Sequence, residues 1–153
     1  MKILVVSDSH QQTTNLEHIL KKEADAEAVI HLGDGAEDLD FCLPLTAHKM
    51  IWRVRGNCDP LACGFKEEQI FDIDGATLLI CHGHKYNVNY GLQSLYFAGL
   101  SHNAKVCLYG HTHVQKADEA ADILFLNPGA VKDHRYALLW IENGDIKFEL
   151  KQF

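Results

Sequence analysis

The chain has 153 residues, enough for one folded domain that buries about two-thirds of its unfolded surface. Hydrophobic residues make up 47% and charged residues 23%, as in ordinary soluble globular proteins, and no apolar run reaches the roughly 18 residues of a bilayer span, so no membrane partner is expected. The formal net charge is -7 and no stretch is rich in Lys or Arg, which argues against nucleic acid, whose phosphate backbone needs a basic footprint.

The run Met1–Asp8 is too short and too soon acidic for a signal peptide and reads as a strand, so a cytoplasmic address is expected. The five cysteines (Cys42, Cys58, Cys63, Cys81 and Cys107) are odd in number and include no C-x-x-C pair. A disulfide framework or structural zinc site is therefore not expected, and reduced thiols suit the cytosol. Ten histidines is a high count without any His tract, so their positions decide their use.

In chain order, Lys2–Val6 is a continuous apolar run rich in β-branched residues and predicts a buried strand. Thr13–Ala24 has helical spacing, with Leu16, Ile19 and Leu20 on one face. Ala28–Leu32 predicts a second buried strand, Leu39–Leu43 a short helix ending before Pro44, and Met50–Val54 a third strand. This β-α-β order points to a largely parallel sheet under helical cover. Gln69–Ile73 and Thr77–Cys81 flank Asp74-Gly75 and predict a hairpin, because Asp-Gly suits a tight turn. Tyr90–Leu100 predicts a helix, and Lys105–Tyr109 and Ile123–Leu126 predict short strands. Tyr136–Ile141 and Ile146–Leu150 close the chain as a hairpin around Asn143-Gly144. That is too many strands for one small open sheet. The expected fold class is α/β, with two packed mixed β-sheets flanked by helices. No repeat, low-complexity segment or linker divides the chain, so one domain over residues 1–153 is expected.

Five of these strands run into turns of Gly, Asp, Asn and His. The segments are Val5-Val6-Ser7-Asp8-Ser9-His10, Ile30-His31-Leu32-Gly33-Asp34, Val54-Arg55-Gly56-Asn57-Cys58-Asp59, Ile80-Cys81-His82-Gly83-His84 and Leu108-Tyr109-Gly110-His111-Thr112-His113. Ligands of α/β sheets bind beyond the carboxyl ends of the strands, so these ends can share one crevice. Asp8 and His10 are two apart, as are His111 and His113, and in an extended chain each pair projects to one face. The convergent set is Asp8, His10, Asp34, Asn57, His82, His111 and His113. Taken alone, each has a plainer reading: Asp34 as a helix N-cap, Asn57 as a left-handed turn residue, His82 and His84 as a surface pair. All five segments together, each at a strand end, argue against coincidence.

The order D-x-H, G-D, G-N-x-D, H-G-H, G-H-x-H in these segments resembles the calcineurin-like metallophosphoesterase superfamily. The compact length and Gly56-Asn57-Cys58-Asp59 are most similar to its small YfcE-type bacterial and archaeal phosphodiesterases, and Asn127-Pro128-Gly129 resembles a family loop near the metals. The resemblance implies a four-layer sandwich and two divalent metal ions, manganese first, with iron, zinc or nickel as alternatives. It places Asp8, His10 and His113 on one ion, Asn57, His82 and His111 on the other, and Asp34 between them. It implies hydrolysis of a small phosphodiester by direct attack of a metal-bridging hydroxide, without a covalent phosphoenzyme. Two dications, two aspartates and one hydroxide leave a net charge of about +1, which suits a singly charged diester as readily as a monoester.

One position departs from the family pattern. Many members carry histidine after the motif asparagine to protonate the leaving group; Cys58 stands there in this chain. A thiol with pKa near 8.5 is a poor acid, and a small residue lining the pocket is the plainer reading. Asp59 is expected to orient neighbouring ligands, and His84 either contacts substrate or faces solvent. Asp34, Asn57, Cys58, Asp59 and His84 thus form the candidate catalytic set, and esters with good leaving groups, such as aryl phosphodiesters, are expected to react best. Cys81 reads as a buried small hydrophobe. Tyr86, Tyr90 and Phe97 are candidates to line a base pocket, with core packing favoured. The expected partner is a small phosphoester substrate, and a homodimer stays open. Two other functions share the fold: a scaffold like a retromer subunit, disfavoured because all seven positions hold ligand-type residues, and a nuclease, disfavoured by the acidic balance.

Overall fold

The computed structural model describes residues 1–153. One sheet contains β1 (Lys2–Val6), β2 (Ala28–His31), β3 (Met50–Arg53), β9 (Arg135–Glu142) and β10 (Asp145–Gln152), in the order β10-β9-β1-β2-β3. The other contains β4 (Glu68–Ile73), β5 (Ala76–Cys81), β6 (Val106–Leu108), β7 (Lys116–Ala120) and β8 (Ile123–Asn127), in the order β4-β5-β6-β8-β7. In each sheet three strands are parallel (β1, β2 and β3; β5, β6 and β8), and the flanking strands pair antiparallel. Helices α1 (Thr13–Lys22) and α2 (Gln93–Ser101) cover the outer faces.

The side-chain period of two explains the unbroken apolar runs. Ile3 and Val5 of β1 enter the core between the sheets, while Leu4 and Val6 meet Leu16, Ile19 and Leu20 of α1. Likewise Leu78 and Ile80 of β5 join the central core, and Leu79 and Cys81 pack with Leu95 of α2. Four layers result, helix, sheet, sheet, helix, in agreement with the expected fold. Each fully buried Leu, Ile or Val contributes about 1.5–3 kcal/mol relative to exposure. No helix is long and apolar enough to cross a membrane, and all five cysteines are free.

Some expectations need correction. The Leu39–Leu43 helix is a 3-10 segment over Ala36–Cys42. The Tyr90–Leu100 helix begins only at Gln93, because Val88–Tyr90 forms a separate 3-10 turn ended by Gly91 at φ 130°. Strand β7 is absent from the sequence reading: its residues, KADEA, show no buried position, and pairing with β8 is what makes them a strand. Charges on such an edge discourage pairing with another chain. Tyr90 and Phe97 are 92% and 57% exposed, so the core packing expected of them does not occur; Tyr86 does pack against the core beneath α2.

Candidate metal centre

Backbone hydrogen bonds bring the loops after the parallel strands together. Asp8 N–H donates to Gly33 O at 2.9 Å, His10 N–H to Asp34 O at 3.0 Å and Gly110 N–H to His82 O at 2.9 Å. Asp8 is fully buried. Its Oδ2 accepts the Ser7 hydroxyl at 2.5 Å and the His111 N–H at 3.2 Å. Its Oδ1 faces three imidazole nitrogens, Nε2 of His113 at 3.0 Å, of His10 at 3.6 Å and of His82 at 3.9 Å. Asp34 is divided in the same way: Oδ1 accepts the Cys58 N–H at 2.8 Å, and Oδ2 faces His82 Nε2 at 3.3 Å and His10 Nε2 at 3.8 Å. Atoms that share one ion through bonds of about 2.0–2.2 Å stand about 3–4 Å apart, the spacing found between these groups.

The donors form three overlapping sets, each with all its atoms within 4.8 Å of one another: Asp8, His10 and His113; Asp34, His82 and His111; and His10, Asp34 and Cys58. Two observations say that cations fit. His10 Nε2 is buried without a hydrogen-bond partner, a state rare in folded proteins. His82 is fully buried, and its Nδ1 lies 2.7 Å from the Leu32 carbonyl oxygen, which can only accept. The ring proton therefore sits on Nδ1, and Nε2 presents its lone pair toward two carboxylates, an arrangement that calls for a cation or a proton between them. The His and Asp clusters thus fit a dinuclear metal site.

The residues converge by a different route from the one their spacing suggests. Asp8, His10, Asp34, His111 and His113 have φ of 54°, 44°, 55°, 69° and 60°, so none of these pairs lies on an extended chain. Such left-handed conformations cost about 1 kcal/mol or more each in residues other than glycine and concentrate at functional sites. Asp34 is not a helix N-cap either, since Gly35 holds that position and no side chain caps the 3-10 segment. Burial of His82 likewise rules out a surface pair with His84.

The other expected residues surround this core. Asn57 is exposed, and its amide donates to Cys58 Sγ at 3.5 Å; no hydrogen bond ties it to His82 or His111. Cys58 lines a cleft of about 340 Å³ with His10, Asp34 and Asp59, and burial followed by the Asp34 charge pushes its thiol pKa up. That makes it a still poorer acid. The ring of half-buried His84 lies 5.4 Å from that of His82 and 6.1 Å from that of His111, centre to centre. Burial, then the neighbouring His82, lowers its pKa. Cys81 is buried in the apolar core, as expected.

Asp59 acts on the backbone. Its carboxylate accepts N–H groups from Asp34, Gly35 and Gly56, each at 2.8 Å. Gly56 is required beside it, because a Cβ there would overlap Asp34 Oδ1. In Asp59→Asn one oxygen becomes an amide donor opposed to these donors. Manganese binding is expected to weaken roughly tenfold in a calorimetric titration; unchanged affinity would detach Asp59 from the site.

Several supporting residues escaped the sequence reading. Gly33 N–H donates to His31 Nδ1 at 3.1 Å, so the ring proton is on Nε2, which donates to Ser9 Oγ at 2.9 Å. The Ser9 hydroxyl donates onward to Asp38 Oδ2 at 2.6 Å, which also accepts the Gln11 N–H at 2.9 Å. This buried relay joins the loops that carry Asp8, His10 and Asp34. Its signal in the sequence is a histidine within the apolar run Ala28–Leu32. Asn89 pairs with His111 Nε2 at 2.9 Å, which leaves Nδ1, 3.3 Å from His82 Nε2, toward the centre. Asn127, in the loop that the sequence does single out, is buried and donates to Gly110 O and Thr112 Oγ1, both at 3.0 Å, and so braces the turn between His111 and His113.

Charge and burial compete at this centre. Burial opposes a charge on His82, but the Asp34 and Asp8 carboxylates outweigh it and raise its pKa. Burial likewise opposes ionisation of Asp34, yet His82 and the Cys58 N–H hold its carboxyl well below the usual range. His111 is lowered by burial and by His82.

The fold is thus a four-layer sandwich that gathers carboxylates and imidazoles, in clusters consistent with a dinuclear metal site, at the carboxyl ends of the strands of both sheets. Residues 1–143 match the family model described as the calcineurin-like phosphoesterase superfamily domain, and the chain belongs to that superfamily. It is 31% identical over 150 residues to a Bacillus subtilis protein named "Probable metallophosphoesterase YsnB", covering 94% of this chain and 86% of that one. A Methanocaldococcus jannaschii protein named "Phosphodiesterase MJ0936" is 31% identical over 144 residues, covering 84% of this chain and 83% of its own. A solved structure from Streptococcus pneumoniae superposes with a TM-score of 0.82 at 31% identity, over 99% of this chain and 88% of that one.

Proposed function

We propose that the protein is a phosphodiesterase that uses two divalent ions, manganese first, to hydrolyse a small phosphodiester. One observation carries this reading: Asp8 and Asp34 each hold one oxygen in hydrogen bonds and turn the other toward shared imidazole nitrogens. Asp8, His10 and His113 would hold one ion, His82, His111 and Asn57 would hold the other, and Asp34 would serve both. Bound dications at this position supply activation of water and a clamp on the phosphoryl oxygens. The side chains do the rest. Leu32 O orients His82, Asn89 orients His111, Asp59 fixes the Asp34 loop, and His84 contacts the substrate. Ser7 and Ser9 are fully buried with their hydroxyls committed to Asp8 and Asp38, out of reach of a substrate, so water would be the nucleophile. Five free cysteines agree with a cytoplasmic address.

The full donor set argues against a scaffold, and the net charge of -7 against a nuclease. The test is a panel of an aryl phosphodiester, an aryl monoester and a short oligonucleotide, run with manganese alongside an ion count. Two ions per chain and fastest turnover of the diester are expected. Response to monoesters alone would change the reaction class, oligonucleotide cleavage would favour the nuclease, and two ions without turnover would favour the scaffold.

A further inference from the structure

The third donor set has no counterpart in the ligand scheme above. His10 Nε2, an Asp34 oxygen and Cys58 Sγ lie within 4.8 Å of one another. His10 also belongs to the set around Asp8, and Asp34 to the set around His82, so the sulfur stands at the seam between the two proposed ion positions. The other two donors line the same cleft as Cys58: His10 Nε2 is buried without a hydrogen-bond partner, and the Asp34 side chain is 4% exposed. The Cys58 N–H bond to Asp34 Oδ1 holds this residue against the carboxylate. Its Sγ accepts from the Asn57 amide at 3.5 Å, and its thiol also interacts with the Asp34 carboxylate. Cys42, Cys81 and Cys107 lie in the apolar layers and have no such neighbours.

We propose that Cys58 is a conditional metal ligand: a thiophilic ion such as zinc or cadmium, held by His10 and Asp34, takes Cys58 Sγ as a further ligand, whereas manganese does not. The selectivity is that of the donors. Thiolate prefers soft ions, while manganese is satisfied by carboxylate, imidazole and water. Zinc–sulfur and zinc–nitrogen bonds of about 2.3 and 2.1 Å bring sulfur and nitrogen to within about 4 Å, a small closure that rotation of an exposed side chain provides. The S–H bond breaks, its electron pair forms the sulfur–metal bond and the proton passes to solvent, with no change of oxidation state. The added ligand fills a coordination position that substrate would otherwise use. Cys58 thereby sets the metal preference of the protein, and zinc gives slower turnover than manganese.

This inference rests on the proposed function, because it needs His10 and Asp34 to bind ions, and the experiment separates the two. Metal-free protein is titrated with cadmium and followed by the ultraviolet sulfur-to-cadmium charge-transfer band, with bound ions counted by equilibrium dialysis. The band is expected in the wild type and in Cys63→Ser, and its loss is expected in Cys58→Ser and Cys58→Ala, while those two variants still bind two cadmium ions. Two ions bound without a band, or a band that survives both Cys58 substitutions, would overturn the thiolate ligand and leave the phosphoesterase site intact. Failure of the wild type to bind cadmium at all would overturn both. In turnover assays the zinc-to-manganese rate ratio is expected to rise in Cys58→Ser; an unchanged ratio would overturn the role in metal preference.

Discussion

Asp34→Asn is expected to bind one manganese ion in place of two and to lower turnover of an aryl phosphodiester by about a thousandfold. The argument rests on how the two oxygens are used. Oδ1 already serves the Cys58 N–H, and an amide oxygen preserves that bond. Oδ2 is the atom facing His82 and His10, and in the variant a neutral NH2 group, a donor, points to where a cation would sit. A carboxylate shared by two ions is worth several kcal/mol of charge stabilisation, and about 4 kcal/mol corresponds to that loss of rate. Side-chain volume hardly changes, so the metal-free variant is expected to unfold near the wild-type temperature. Two retained ions with turnover within about tenfold of wild type would remove Asp34 from the bridge.

His31 is expected to make the metal-free protein acid-sensitive. Burial pushes its pKa from 6.5 down to about 3, although the Asp59 charge acts the other way. Between these values the unfolded chain binds a proton that the folded protein refuses. Stability from this group is therefore complete above pH 6.5 and is lost as pH falls toward 3. From pH 7 to pH 5 the loss is about 2 kcal/mol. His84 and His111, with lowered pKa, act in the same direction, and His82, with raised pKa, opposes them. Comparison with His31→Asn cancels these shared contributions. Urea unfolding in a chelator is expected to show the stability advantage of wild type over the variant shrinking by about 2 kcal/mol between pH 7 and pH 5. A constant gap would mean that His31 takes up its proton in the folded state.

Strands β1 and β5 are legible because an unbroken apolar run describes a strand buried on both faces, and the contacts of Leu4 and Leu79 with the outer helices are the reason. Strand β7 is not, because an edge strand owes its conformation to its neighbour and its five residues carry no apolar pattern. The candidate ligand residues are legible from their types and from their places at strand ends. Their conformation is not: the two-residue spacing of Asp8 and His10 suggests an extended pair, whereas both adopt left-handed φ. The helper residues divide in the same manner. Asp59 stands in the motif and is found there, whereas His31, Asp38 and Asn89 lie outside it.

Residue chemistry and strand pattern are local properties, and they suffice to indicate the family, the layered fold and the side chains suited to hold cations. What no local pattern contains is the distance between loops that are far apart in the chain. Asp8 meets His113 across 105 residues, and His82 reaches Leu32 across 50. The packing of one sheet on the other creates these contacts, and with them the tautomer of His82, while the adjacency of β1, β2 and β3 within one sheet brings Cys58 to His10 and Asp34. Each depends on where a second loop happens to lie, so the identity of a residue and its neighbours in the chain leave it open until the core between the sheets has closed.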